Sequence, residues 1–121
     1  MAKVFLIGID QAAAGEICRA LAVEKHQIRK QSHDSFTPGL LEADIVFAGG
    51  EPESYLPVLR HVRATRPALP FVVVTLRAET REWLDALEAG ATDYCSAPVH
   101  ARQVHWLMAS VPLSVRSSRS R

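Results

Sequence analysis

Three short apolar runs punctuate the chain: KVFLIGI from residue 3, IVFAG from residue 45 and PFVVVTL from residue 70. Apolar at nearly every position and only strand-long, they suit strands covered on both faces of a parallel sheet. Helical spacing fills the intervals. Ala14, Ile17, Cys18, Leu21 and Ala22 follow the i, i+3, i+4, i+7, i+8 pattern of one buried face. Leu56, Leu59 and Val62 mark a second such face after Pro52, a residue that loses no needed donor at a helix start. A third helix is predicted from Glu79 to Ala89, with Leu84 and Leu87 on its core stripe and Gly90 closing it. ATDYCSAP, residues 91 to 98, reads as a last short strand stopped by Pro98. From His100, positions Val104, Met108 and Val111 form a final helix face that ends at Pro112. HQIRKQ, residues 26 to 31, alternates like a strand. The following SHDSFTPGLLEA carries at most a short helix, because Pro38-Gly39 interrupts it.

Strand and helix alternating five times predict a doubly wound, five-stranded parallel sheet between two helical layers, an α/β three-layer sandwich. The functional crevice of such a sheet lies at the carboxyl ends of its strands. Gly8 to Asp10, Gly49, Thr75 and Ala97 are therefore expected to converge. The 121 residues fit one domain, 1–111, followed by a flexible basic tail or linker, 112–121.

Composition narrows the function classes. With 22% charged residues and a net charge of +1, the body of the domain is not built for a polyanion. No apolar run approaches a membrane span and the N-terminus lacks a signal-peptide pattern, so a cytoplasmic location and no membrane partner are expected. Cys18 and Cys95, on apolar-patterned segments without CxxC spacing, are expected to be buried free thiols. His26, His33, His61, His100 and His105 show no metal-ligand spacing and are expected on the solvated surface. After Asp93 there is no acidic residue, while Arg102, Arg116, Arg119 and Arg121 follow.

The order and content of these segments resemble the receiver domain of two-component response regulators. Four stretches carry the likeness: VFLIGID, ADIVFAG, RATRPALPFVVVTLRAE and ALEAGATDYCSAPV, within residues 3 to 111. The resemblance implies the flavodoxin-like, CheY-like form of the sandwich. It also implies a crevice holding an acidic pair for magnesium, a phosphoacceptor aspartate, a Thr or Ser, and a lysine just before a proline. In that chemistry carboxylates hold the metal, and metal and lysine neutralise the transferring phosphoryl group. Carried over by position, the acidic pair falls on Ile9 and Asp10, the acceptor on Gly49, the hydroxyl on Thr75, the aromatic switch on Tyr94 and the lysine on Ala97. The resemblance is thus to a degenerate receiver, or pseudo-receiver, whose phosphorylation crevice is vestigial. No catalytic residue, metal, cofactor or enzymatic activity is expected.

Two other chemistries compete for the diglycine. A phosphate cradle at a helix start is opposed by Glu51 and Glu53, and there is no GxGxxG and no Walker lysine. Magnesium on Asp10 and Glu51 would need another acceptor, but Asp44 stands at the start of the third strand, the wrong end, and Asp93 in the turn before Tyr94. Asp10 reads instead as the cap of the first helix. What remains is a surface. Trp83 stands where receivers usually carry a polar residue, and Trp106 projects away from Val104 on the last helix. Exposed tryptophans mark interfaces, and receivers use the fourth helix, fifth strand and fifth helix for dimer and output contacts. Trp83, Tyr94 and Trp106 are therefore expected on or near one face, engaging a second copy or another protein. The expected function is that of the non-phosphorylatable regulatory module of a two-component-type transcriptional regulator, touching nucleic acid only through an attached output domain. The alternative is a small-molecule sensor, with a ligand in the crevice under Gly8, Gly49 and Ala97.

Overall fold

The computed structural model describes residues 3–22, 26–32, 42–76, 80–96 and 99–109. Its elements run β1 (Lys3–Ile7), α1 (Gln11–Leu21), β2 (Gln27–Gln31), β3 (Ile45–Gly49), α2 (Pro52–Thr65), β4 (Phe71–Thr75), α3 (Thr80–Glu88), β5 (Asp93–Ser96) and α4 (Ala101–Ala109). The sheet order is β2-β1-β3-β4-β5 and every pairing is parallel. This is the doubly wound, flavodoxin-like arrangement expected, with its switch point between β1 and β3.

Alternation along the three central strands divides their side chains between two cores. Val4, Leu6, Ile45, Phe47, Val72 and Val74 pack under α1 and α4. Phe5, Ile7, Val46, Ala48, Phe71 and Val73 pack under α2 and α3. Both faces are dry, which is why these strands read as unbroken apolar runs. β2 is an edge strand: Ile28 packs on the first core, while Arg29 and Lys30 are exposed.

The helices depart from expectation in detail. In α1, Ala13 and Ala20 join Ala14, Ile17 and Leu21 in the core, whereas Cys18 is half-buried and Ala22, the C-cap, is exposed. α2 turns Tyr55, Val58, Leu59 and Val62 inward and keeps Leu56 at the core margin. α3 contradicts its predicted stripe: Ala86 is fully buried and Leu87 partly so, but Leu84 is 47% exposed. At 100° per residue Leu84 lies roughly 160° from Ala86, so a helix seated on Ala86 must turn Leu84 outward. α3 closes as predicted, with Gly90 at φ 109 and bonds from Gly90 N to Leu87 O and Ala91 N to Ala86 O, the paired bonds of a Schellman motif. In α4, Val104 and Leu107 are buried and Met108 partly buried. The short helix expected after residue 32, Glu79, Val111, Pro112 and the tail lie outside the described residues.

Polar groups pin the end of the sheet opposite the crevice. Asp44 is fully buried; its Oδ2 accepts from Lys3 N at 2.7 Å and its own N–H donates to Lys3 O. Arg63 reaches from α2 to donate through Nε to Gly90 O (2.7 Å) and through its two Nη atoms to Leu69 O (2.6 Å) and Thr92 Oγ1 (3.3 Å). Burial holds its guanidinium pKa below the ordinary value. Thr92 Oγ1 in turn accepts from Phe71 N at 3.0 Å. No helix among the described residues is long and apolar enough to cross a membrane.

Candidate functional site

The crevice forms where β1, β3 and β4 end. After β1, Gly8 adopts φ 60 and turns the chain toward α1. Asp10 then caps α1, accepting from Ala12 N (3.2 Å) and Ala13 N (3.4 Å). Ile9 packs against the core beneath α1. Only Gly50, at φ 93, and Glu51 separate β3 from α2. At the end of β4, Thr75 is half-buried and Leu76 is 65% exposed.

These turns enclose about 270 Å³ lined by Gly8, Asp10, Ala13, Gly50, Glu51, Val74, Thr75, Leu76 and Glu82. Gly8, Asp10 and Thr75 converge as expected. Ile9 instead joins the apolar core, Gly50 rather than Gly49 faces the cavity, and Ala97 lies outside the described residues. The walls carry the carboxylates of Asp10, Glu51 and Glu82, and the described lining residues include no basic side chain. Their combined field repels phosphate groups.

Gly49 is the decisive position. It is buried within β3, opposite Val74 of β4. A Cβ built there would stand 2.8 Å from Val74 O, 3.1 Å from Gly8 O and 3.2 Å from Ile9 Cα. The small residue therefore leaves no room at this point: neighbouring backbone takes up the space that the sensor alternative assigned to a ligand.

The resemblance to receivers implies a magnesium site, and the side chains here do not fit it: by that resemblance the first acidic position falls on Ile9 and the acceptor position on Gly49, while Asp10 is engaged as a helix cap. Among the described residues no three His, Cys, Asp or Glu side chains group so as to hold a metal ion. Asp44 lies at the far end of the sheet, as expected. Asp93 opens β5 and accepts from Tyr94 N at 2.7 Å.

Beside the crevice, Thr75 Oγ1 donates to the Tyr94 hydroxyl at 3.2 Å, and Tyr94 packs against the core under α2 and α3. Tyr55 of α2 is buried in the same neighbourhood. Burial, and then the charges of Tyr94, Glu82, Asp85 and Glu51, push its phenol up to about 12. Burial and then Asp93 push the buried Cys95 thiol up to about 12 as well, whereas Cys18 is half-buried rather than fully enclosed. His61, His100 and His105 are exposed and His26 half-buried; His105 Nε2 also lies 2.9 Å from Ala20 O at the end of α1. Glu82, Leu76 and Tyr55 escaped the sequence reading. Their only signal was position: the first turn of α3, the residue after Thr75, and the inward face of α2.

Trp83 is 42% and Trp106 62% exposed. α3 belongs to the α2 layer and α4 to the α1 layer, so the two tryptophans stand on helices that cover opposite faces of the sheet, not on one helical face. Trp106, His100, Arg102 and Gln103 line a shallow depression on α4.

Comparison with known proteins agrees with this geometry. The chain matches no family profile. Protein PetR of Rhodobacter capsulatus is 37% identical over 65 residues, 54% of this chain and 26% of PetR. Among solved structures, NtrX from Brucella abortus in complex with ADP superposes with a TM-score of 0.80 at 18% identity, covering 98% of this chain and 28% of NtrX. A receiver domain from Clostridium thermocellum gives 0.78 at 18% identity and one from Methanospirillum hungatei 0.76 at 15%, each covering 98% or more of both chains. The chain thus has the receiver-domain fold of two-component response regulators, and it spans about a quarter of PetR and of NtrX.

Proposed function

We propose that this is a receiver-like signalling module that takes no phosphoryl group at its crevice and acts through protein contacts, as the regulatory part of a cytoplasmic transcriptional regulator. The observation that carries the reading is Gly49, a position without a nucleophile, walled in by backbone at the end of β3, next to a crevice lined by three carboxylates. A phosphoryl group would meet repulsion there and no acceptor, so the domain performs no catalysis and holds one signalling state. The bond from Thr75 to Tyr94 supports a fixed switch. The limited share of PetR and NtrX that the chain spans supports an attached output domain. Incubation with acetyl phosphate and magnesium, followed by intact mass measurement, is expected to leave the mass unchanged; a magnesium-dependent gain of one phosphoryl group would overturn the reading.

The contact surface proposed is the β5 edge with α3 and α4, paired with a second copy. α3 exposes Trp83, Leu84, Asp85 and Glu88 beside Arg81, and α4 exposes Trp106 and Arg102 with no carboxylate, so the two sides complement each other in charge and both offer apolar anchors. A second reading, a ligand sensor, draws on the remaining 270 Å³ of crevice. Its carboxylates restrict such a ligand to cationic groups. Thermal-shift screening with polyamines and nucleotides separates the two readings, since a bound ligand raises the melting temperature by mass action.

A further inference from the structure

Position 49 differs from Gly15 and Gly90 in what surrounds it. At Gly90, where φ is 109, the three nearest atoms to an added Cβ all belong to the Arg63 side chain, at 3.1 to 3.2 Å, and at Gly15 the near atom is Arg19 Nη1, at 3.5 Å. At Gly49 all three near atoms are backbone, and they come from both flanking strands: Val74 O from β4, Gly8 O and Ile9 Cα from the turn after β1. A contact of 2.8 Å to a carbonyl oxygen cannot be relieved by a rotamer change; it requires the strands to part. The strands are held where they are by the Gly49–Val74 pairing, by Ile9 packed into the core and by Asp10 capping α1.

We infer that Gly49 is a packing requirement of this sheet, so that the phosphoacceptor cannot be rebuilt by restoring an aspartate there. The inference rests on the reading that position 49 is where the acceptor would stand, and it gives that reading a physical basis: the insensitive state is fixed by backbone closure as well as by a missing side chain.

The test compares Gly49→Asp, Gly49→Ala and Gly15→Ala with the parent domain. Gly49→Ala adds a methyl group alone and is expected to melt at least about 5 °C lower. Gly15→Ala, with room for its methyl inside α1, is expected to melt at or above the parent. Gly49→Asp is expected to gain no phosphoryl group from acetyl phosphate with magnesium. Parental stability in Gly49→Ala, or phosphorylation of Gly49→Asp, overturns the inference while leaving the proposed function intact. Phosphorylation of the parent domain instead overturns the proposed function, and the melting comparison of the two alanine variants still decides the packing claim.

Discussion

Asp10 and Gly49 show how differently single residues can be read. An aspartate directly before an apolar-periodic stretch has few roles open to it, and capping follows from local sequence alone. The cap has a measurable weight: Asp10→Ala is expected to lower stability by about 1 kcal/mol in urea unfolding, with no response to magnesium in either protein. A magnesium-dependent rise in the parent that the variant loses would return Asp10 to metal binding. The family resemblance read Gly49 as a position without a nucleophile; its tight fit was not legible, because the atoms that crowd it belong to residues 8, 9 and 74. Only the strand order brings them together.

At the scale of elements, strands were easier to read than helices. A strand buried on both faces announces itself by composition, so β1, β3 and β4 fell within a residue or two of expectation. α3 also matched its expected bounds to within a residue and turned Trp83 outward as expected, but its inward face was misread, because Leu84 is exposed as well. Hydrophobicity points inward by default, and an apolar helix face reserved for solvent or a partner violates that default. Arg63 was also silent in the sequence, as one more charge near a helix end. Three of its acceptors, in the turns before β4 and β5, make it the joint between α2 and the adjacent strand ends. Arg63→Ala strips donors from Gly90 O, Leu69 O and Thr92 Oγ1, and a loss of roughly 2–3 kcal/mol is expected in denaturant unfolding. Arg63→Lys should recover only a fraction, because an ammonium lacks the fork that spans those acceptors. An unchanged unfolding midpoint in Arg63→Ala would show the joint to be idle.

Two buried acids tie the stability of the whole molecule to alkaline pH. The Cys95 thiol and the Tyr55 phenol, ordinarily near 9.0 and 10.0, are each raised to about 12 in the fold. Both are neutral when protonated, so the folded state holds these protons more tightly than the unfolded chain does. Their contribution is complete below the unfolded values and is lost as pH climbs toward 12. The melting temperature is therefore expected to fall from about pH 9 upward, and Cys95→Ala to flatten the first part of that decline. Association is the other property of the whole molecule. Sedimentation equilibrium at micromolar concentration is expected to give a dimer, and the double variant Trp83→Ala, Trp106→Ala a folded monomer; an unaltered dimer would move the contact away from the β5 edge. The sequence reading put the two tryptophans on or near one face, whereas α3 and α4 carry them in opposite layers of the sandwich.

The division of each central strand between two cores has a consequence for how the chain finds its alignment. In a sheet wet on one side, a slip by one residue sends apolar groups into water and is rejected at once. Here a slipped β1, β3 or β4 would still bury mostly apolar side chains, so hydrophobicity alone discriminates poorly between correct and shifted pairings. That task falls to a few sites where a shift has an immediate penalty. The Asp44 carboxylate meets Lys3 N at the foot of β1, Thr92 Oγ1 meets Phe71 N at the foot of β4, and the side-chain-free notch at Gly49 meets Val74 O at the top. These pegs sit at both ends of the sheet and compel each strand to settle in one position.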